Sequence, residues 1–379
     1  MGNSEAAKLS NNDPQYLTYM KECEEAIVSQ YPEWKGKGER KEDEYLEKNE
    51  ESWLDLSGVR GLKNVGNSSH LNSAIQCLSS VKPLRELLIQ KHSFNSNKTQ
   101  FEKQFAELLN SLWIANQYDK VIDPSFFKAE CAKLEANLVG STERNAHTFF
   151  SLLFFKLSEK NACSNSTAKM SESAEVSKKV AAAMSSIQQS KGAFFADWFF
   201  GLFKITFTCT KCEKFLEKFE PFHEIALSLS KTHKSLNECV SLFCSQQKLE
   251  EWNCQNCKET VNATKKVEIW KLPKIILFHL KPSDGNDSPH ILIDFPLTDL
   301  ELVPLEKSSE KEKNAKFDLF ATCNHSQEEP SNSVCFSLHS ERNKWFKFED
   351  DRITQLNQRD LSPIKNGPFL LFYKLKKSF

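Results

Sequence analysis

The pattern of hydrophobic and polar positions divides the chain into a polar lead segment, a helical part and a strand-rich part. Residues 1–55 are polar and charged and show no sustained apolar periodicity, which predicts a mostly disordered segment. From residue 58 onward, apolar side chains begin to recur at helical spacing. The first such stripe consists of Leu71, Ile75, Leu78 and Val81, with Ser68 or Ser69 in position to cap the helix.

Two further helices are predicted before the pattern changes. The segment FEKQFAELLNSLWIANQ carries one apolar stripe, and NAHTFFSLLFFKLSEK is apolar on most sides, which predicts a buried helix. Residues 160–192 are rich in Ser, Ala and Lys, and we expect a flexible insertion there. In the predicted helix FEKQFAELLNSLWIANQ, the apolar stripe is formed by Phe101, Phe105, Leu108 and Leu112.

Beyond residue 193 the apolar residues cluster in runs that favour strands. These runs are GLFKITFTC, FHEIALSLS, VEIWKLPKIILFHLK and FDLFATC. Because helices come first and strands follow, the order of elements predicts an α+β fold with two lobes.

Composition adds limits to this picture. The 379 residues include 29 phenylalanines, enough large rings for a substantial core. The formal net charge of −1 offers no diffuse attraction to nucleic acid or to a membrane surface. No apolar run approaches the roughly 20 residues that span a bilayer. We therefore expect neither nucleic acid nor a membrane as a partner.

The twelve cysteines are mostly scattered, with two close pairs. The chain starts with MGNSEAAKLS, which has no apolar signal-peptide stretch, so we expect reduced thiols and a cytoplasmic or nuclear location. Cys209 and Cys212 form one Cys-x-x-Cys pair, and Cys254 and Cys257 form the other. Two such pairs can complete a tetrahedral Cys₄ shell, which predicts a structural Zn²⁺ site with no open coordination position.

The segment GLKNVGNSSHLNSAIQCL closely resembles the cysteine box of the ubiquitin-specific protease family. Further segments resemble that family in the same order, namely GSTERNAHTFFSLL, LPKIILFHLK, IDFP and KWFKFEDDRIT. The resemblance extends over about residues 58–376. The positions that match the cysteine box are Gly61, Leu62, Asn64, Gly66, Asn67, Asn72, Ser73, Gln76 and Leu78.

This resemblance implies a papain-like right-hand architecture and the activity of a cysteine-type deubiquitinase. It implies a helical thumb in 58–159, the insertion in 160–192, and β fingers with a β-rich palm in 193–376. In the family, zinc-bound fingers grip ubiquitin, which makes ubiquitin or a ubiquitinated protein the implied partner.

The resemblance also assigns the positions of the catalytic machinery. Ser69 stands where the family has its nucleophilic cysteine, and Asn64 matches the asparagine that stabilises the oxyanion. Thirteen residues before Trp345, the base position is occupied by Asn332, and the third member of the triad corresponds to Glu349. An asparagine has no titratable nitrogen and cannot accept a proton from the nucleophile.

These replacements favour a catalytically inactive member of the family that acts by binding ubiquitin or a protein partner. One alternative is an active deubiquitinase that has recruited another base, for which His70, His325 and His339 are the candidates. A third possibility is an adaptor that no longer binds ubiquitin, because Arg144 and Asn145 stand where the family has a glutamine and an aspartate, the aspartate contacting the basic ubiquitin tail.

Overall fold

The computed structural model describes residues 57–92, 99–114, 119–134, 146–158, 176–229, 235–282, 293–303, 315–328 and 332–376. The described residues all belong to the compact unit Leu56–Phe379. Residues 1–55, 160–175 and 143–145, about which the sequence makes predictions, lie outside these ranges.

The helices come first along the chain, as predicted, and one more follows among the strands. They are α1 (Ser69–Ser79), α2 (Lys82–His92), α3 (Gln100–Trp113), α4 (Ser125–Leu134), α5 (Ala146–Ser158), α6 (Val176–Lys191), α7 (Ala193–Trp198) and α8 (Leu236–Phe243), with a 3₁₀ turn at Ser362–Lys365.

Within the described ranges the strands form three sheets. A parallel pair joins β1 (Gly61–Leu62) to β2 (Val121–Ile122). The fingers sheet has the order β4-β3-β7-β6, and the palm sheet has the order β13-β12-β11-β10-β14-β8-β5 with β9 alongside β10. The bounds are β3 (Gly201–Cys209), β4 (Phe215–Phe222), β5 (Glu224–Leu229), β6 (Gln247–Cys254), β7 (Glu259–Lys271), β8 (Ile275–Pro282), β9 (Leu300–Leu302), β10 (Ala315–His325), β11 (Ser333–His339), β12 (Lys344–Glu349), β13 (Arg352–Gln355) and β14 (Pro368–Leu375).

The first predicted helix is confirmed as α1, and all eleven of its residues are buried. The apolar run does not continue as one helix, because α1 ends at Ser79 and α2 begins at Lys82. Pro83 lies in the first turn of α2, where a backbone N–H would have no hydrogen-bond acceptor within the helix, so the proline is tolerated. Ser68 occupies the N-cap position, but its hydroxyl accepts a hydrogen bond from the Val65 N–H instead of a helix N–H.

The prediction of a flexible insertion is wrong for its second half. Residues 176–191 form α6, and Ile187 is only 4% exposed against the helical core. Met184 packs against the same core one turn earlier. The alanine-rich sequence has high helix propensity, and the spacing of these two side chains gives the helix an apolar face that can dock.

The palm sheet separates two hydrophobic cores. Helices α1 to α7 cover one face, where Leu277 and Phe372 are buried, and the opposite face buries Phe278 and Tyr373 under α8 and the loops. The alternation of neighbouring residues between the two cores follows from the period of two in a strand. A register shift in β10 between Leu319 and Ala321 moves the later part of that strand to the other face.

The α+β fold predicted from the sequence is confirmed, with a helical thumb packed on one face of a β-rich palm. Of the helices in the described ranges, none combines the length and apolarity that a bilayer crossing requires.

Candidate functional site

The site corresponding to the family's nucleophile lies where α1 begins. Gly66 and Asn67 both have left-handed backbone conformations, with φ of 56° and 59°, and they turn the chain into the helix. The Lys128 ammonium group donates to the carbonyl oxygens of Val65 and Gly66 and holds this turn against α4. As a result Ser69 lies in the first turn of the helix and is 2% exposed.

The hydroxyl of Ser69 is engaged by two side chains. Its Oγ donates to Asp350 Oδ2 at 2.8 Å and accepts from Asn64 Nδ2 at 3.0 Å. Asn64 also donates to Asp350 Oδ2 at 2.8 Å, so the three groups form a closed triangle of hydrogen bonds. Asn72, one turn along the helix, donates to Asp350 Oδ1 at 2.8 Å.

Asp350 was not among the site residues predicted from the sequence. It follows Glu349 in the FEDD segment, and the family motif has an acidic residue at both positions. This second acidic position could have identified Asp350 from the sequence. Asp350 has φ of 54°, so the chain turns sharply at the end of β12 and directs this carboxylate toward α1. Gly61 allows β1 to pass close by, because a Cβ there would lie 2.7 Å from the Asp351 carbonyl oxygen.

The structure places Glu349 in a different environment from that of Ser69. Glu349 Oε1 accepts from Ser326 Oγ at 2.7 Å, while Oε2 contacts Lys347 at 2.9 Å and Arg352 at 3.2 Å. Burial opposes ionisation of Glu349, but the hydrogen bonds and charges around it prevail and lower its pKa below the usual value. Its carboxylate is therefore ionised and held by two cations.

Asn332 lies directly before β11, and its carbonyl oxygen accepts from the Ser326 N–H at 2.9 Å. Ser326 thus contacts both Asn332 and Glu349, so the structure brings the second and third predicted triad positions together at the edge of the palm. The neighbouring residue Ser333 contacts α1, because its carbonyl oxygen accepts from Ser73 Oγ at 2.8 Å.

The three candidate histidines have other neighbours. His70 Nδ1 lies 2.7 Å from Ser333 Oγ, and the His70 side chain is 5% exposed. His339 Nε2 lies 2.8 Å from the Ser57 carbonyl oxygen, and burial lowers the pKa of this imidazole. His325 packs beside Phe369. Within the described residues, Asn64 and Asp350 are the hydrogen-bond partners of Ser69 Oγ, and no imidazole is among them.

The four cysteines predicted to bind metal meet at the tip of the fingers sheet. Cys209 Sγ lies 3.9 Å from Cys257 Sγ, and Cys212 Sγ lies 3.7 Å from Cys254 Sγ. All four sulfur atoms are within 4.8 Å of one another. A zinc ion with bonds of about 2.3 Å to sulfur places tetrahedral ligands about 3.8 Å apart, so the cluster could hold this ion.

The two Cys-x-x-Cys turns have the same local geometry. The N–H groups of Cys212 and Cys257 each approach the sulfur of the first cysteine of their own pair at 3.4 Å. The residue after each pair, Glu213 or Lys258, has a left-handed backbone with φ near 60°. Among the described cysteines all ten are free thiols, so no disulfide competes for these sulfur atoms.

Comparisons with known proteins agree with this architecture. The family model for "Ubiquitin carboxyl-terminal hydrolase" matches residues 60–373. Human ubiquitin carboxyl-terminal hydrolase 2 is 27% identical over 341 residues, which cover 84% of this chain and 55% of the relative. Mouse ubiquitin carboxyl-terminal hydrolase 21 is 25% identical over 360 residues, which cover 84% of this chain and 62% of that relative.

A solved structure shows the same fold. It is the SAGA Ubp8/Sgf11/Sus1/Sgf73 DUB module bound to ubiquitin aldehyde, which matches with a TM-score of 0.67 and 21% identity over 94% of this chain and 76% of the matched chain. The chain spans 55% of the length of human ubiquitin carboxyl-terminal hydrolase 2. Because the family model matches most of the chain, the chain belongs to the ubiquitin carboxyl-terminal hydrolase family, as a member of the ubiquitin-specific proteases.

Proposed function

We propose that this chain is a catalytically inactive ubiquitin-specific-protease-like protein that acts by binding ubiquitin or another protein partner. The main support is the hydrogen bonding of Ser69, whose hydroxyl donates to the Asp350 carboxylate and has no imidazole partner among the residues that the structure describes. A serine hydroxyl needs a general base to become a competent nucleophile. Asn332, at the family's base position, cannot serve as that base.

Asp350 is a weak substitute for the missing imidazole. Its carboxylate already accepts hydrogen bonds from Asn64 and Asn72 as well as from Ser69, so its oxygens are engaged by other donors. The Asp350–Ser69 contact therefore supports a structural polar network better than a catalytic pair.

The same contact is nevertheless the observation that favours a second candidate function, an active deubiquitinase with a serine nucleophile and a carboxylate base. Asn64 would then stabilise the oxyanion, as its position in the family motif implies. The two candidates differ in one measurable property, which is turnover that depends on Ser69.

The decisive experiment measures cleavage of a fluorogenic ubiquitin C-terminal substrate by the wild type and by Ser69→Ala. We expect no turnover above the rate of the Ser69→Ala control. Robust wild-type turnover that disappears in Ser69→Ala would refute the inactive assignment and support the serine–carboxylate mechanism.

Reconstruction variants test which positions limit the chemistry. We expect no gain from Ser69→Cys alone, because the Asp350 carboxylate beside the new thiol disfavours the thiolate. Ser69→Cys with Asn332→His should gain activity, since it restores the pair that acts as a unit. Adding Glu349→Asp should raise the activity further if the shorter side chain gives up its ion pair with Lys347 and orients the new histidine.

Ubiquitin binding separates the proposed function from an adaptor that has lost ubiquitin. We expect saturable binding of ubiquitin to the full chain by calorimetry, with a small protein of unrelated fold as the control ligand. No heat of binding above that of the control ligand would support the adaptor hypothesis instead.

We further propose that the Cys₄ cluster binds one structural Zn²⁺, because four thiolates leave no open position for chemistry. Metal analysis of protein purified without chelator should find zinc that is lost in Cys209→Ser. Retention of the same zinc content in that variant would contradict this assignment. Reduced thiols of this kind suit the cytoplasmic or nuclear location expected from the sequence.

A further inference from the structure

A second group of potential metal ligands is separate from the Cys₄ cluster and from the hydrogen-bond partners of Ser69 Oγ. It consists of His147, Glu224 and His279, whose ligand atoms all lie within 4.8 Å of one another. His147 stands in the first turn of α5, Glu224 begins β5, and His279 lies within β8. Each of the three ligands therefore comes from a regular element of the palm or thumb.

The strand register explains why these side chains meet. In the parallel pair of β5 and β8, Ala226 is the partner of His279, and Glu224 lies two residues before Ala226 on the same face. The apolar residues of β5 that alternate with Glu224, such as Ile225, are buried in the opposite core. Glu224 and His279 therefore face the thumb helices, where α5 supplies His147.

The contacts within this group are close. His147 Nε2 lies 2.8 Å from Glu224 Oε2 and 3.4 Å from Ser151 Oγ. The rings of His147 and His279 stack with their centroids 3.7 Å apart. The side chains of His147 and Glu224 remain 18% and 20% exposed, so an ion can reach the group from solvent.

His279 carries an unsatisfied polar atom. The residue is 8% exposed, and among the residues that the structure describes its Nδ1 has no hydrogen-bond partner. The neutral imidazole has one nitrogen with a lone pair, which can coordinate an ion. A buried polar atom without a partner costs free energy, which coordination of an ion by this imidazole could offset.

We propose that His147, Glu224 and His279 form a second divalent metal site of the His₂Glu type, with zinc as the ion that fits the ligand set. Two imidazoles and one carboxylate are a ligand combination that Zn²⁺ accepts, and they leave a fourth position for water or for a donor from a partner. Such an ion would connect the start of α5 to β5 and β8, and so would tie the thumb to the edge of the palm.

The required adjustment of geometry is small. Tetrahedral ligands at about 2.1 Å from zinc are about 3.4 Å apart. The distance between His147 Nε2 and Glu224 Oε2 has to increase from 2.8 Å by about half an ångström. The two ligand atoms that lie furthest apart, at no more than 4.8 Å, have to approach each other by at most about 1.5 Å. The stacked imidazoles also have to splay so that their lone pairs converge, which rotations about their side-chain bonds can accomplish.

The test is zinc stoichiometry in the full chain after equilibration with buffered micromolar Zn²⁺ and gel filtration. Glu224→Gln is the main variant, because it removes the carboxylate ligand and preserves the size of the side chain. His147→Ala is the second, and Glu220→Gln on the exposed part of β4 is the matched control. We expect Glu224→Gln and His147→Ala to bind one zinc fewer than the wild type, and Glu220→Gln to bind the same number.

Thermal unfolding provides an independent readout. Added Zn²⁺ should raise the Tm of Cys209→Ser, which lacks the complete Cys₄ cluster, and the increase should disappear in Cys209→Ser with Glu224→Gln. If Cys209→Ser does not fold, the same comparison between wild type and Glu224→Gln replaces it. Equal zinc content in the wild type, Glu224→Gln and His147→Ala would overturn the proposal.

Discussion

Asp350 accepts hydrogen bonds from three side chains at the start of α1, and this carboxylate connects the end of β12 to the thumb. The donors are Asn64, Ser69 and Asn72, each at 2.8 Å. A negative charge at a helix N-terminus is also favoured by the unpaired N–H groups of the first turn. Under the proposed function, these contacts act as a stabilising network between the thumb and the end of β12.

We therefore predict that Asp350→Ala lowers the free energy of unfolding by about 1–3 kcal/mol, because three partly buried donors lose their acceptor. Urea denaturation measures this change. Asp351→Ala is the matched control, since this neighbouring side chain is exposed and should have little effect. Equal effects of the two substitutions would argue against the network.

Glu349 gives a prediction for pH dependence. Its pKa is lowered in the folded protein, so the stabilising contribution is present above the unfolded-state pKa of about 4.3 and is lost as pH falls through the folded value. The unfolding free energies of wild type and Glu349→Gln should differ most near neutral pH and converge below about pH 4. The exposed Glu250→Gln serves as control, and a difference for Glu349→Gln that grows on acidification would contradict the assignment.

At the scale of elements, the position of the site depends on how α1, β11 and β12 pack together. The whole of α1 is buried, its Ser73 hydroxyl donates to the Ser333 carbonyl oxygen, and its Cys77 sulfur lies 3.4 Å from the sulfur of Cys335 in β11. Helix α6 closes the same core from another side through Ile187. These contacts fix the first turn of α1 relative to the ends of both strands.

The docking of α6 can be tested by a cavity-forming substitution. Ile187→Ala should lower the free energy of unfolding by about 2–4 kcal/mol, because it removes three carbon atoms from a packed core. Gln188→Ala, one residue further along the helix and exposed, should change it by less than about 0.5 kcal/mol. A negligible effect of Ile187→Ala in urea denaturation would mean that α6 is not docked in solution.

At the scale of the whole molecule, the palm sheet supports two cores, while the tip of the fingers lies beyond both. Leu202 and Phe222, at the base of the fingers, are buried. Past Ile205, the buried side chains of the fingers sheet are those of Cys209, Cys254 and Ala263, so little apolar area stabilises the tip. We therefore expect the tip to depend on the proposed Cys₄ metal more than the thumb and palm do.

Removal of metal by a strong chelator from Glu224→Gln, which lacks a ligand of the second proposed site, should accordingly loosen the tip alone. Hydrogen exchange is expected to accelerate in residues 206–216 and 248–264, because the metal supplies the folding free energy there. Amides of α1 should keep their protection, which makes this helix the internal control. Parallel loss of protection in α1 would show that the fingers and the rest of the chain unfold as one unit.

The sequence by itself determined the fold family through the resemblance of its motifs. It also determined the general order of helices before strands, the apolar stripes of α1 and α3 and the four clustered cysteines, because each of these depends on local periodicity or short spacing. Only the tertiary structure decided that Asp350 is the acceptor for Ser69, that Glu349 faces Lys347 and Arg352, and that α6 docks through Ile187. The reason is physical, since these contacts join residues far apart in the chain, and the direction of each side chain depends on backbone turns and sheet register. The same limit applies to His147, Glu224 and His279, which come together through the parallel pairing of β5 with β8 and the packing of α5 against them.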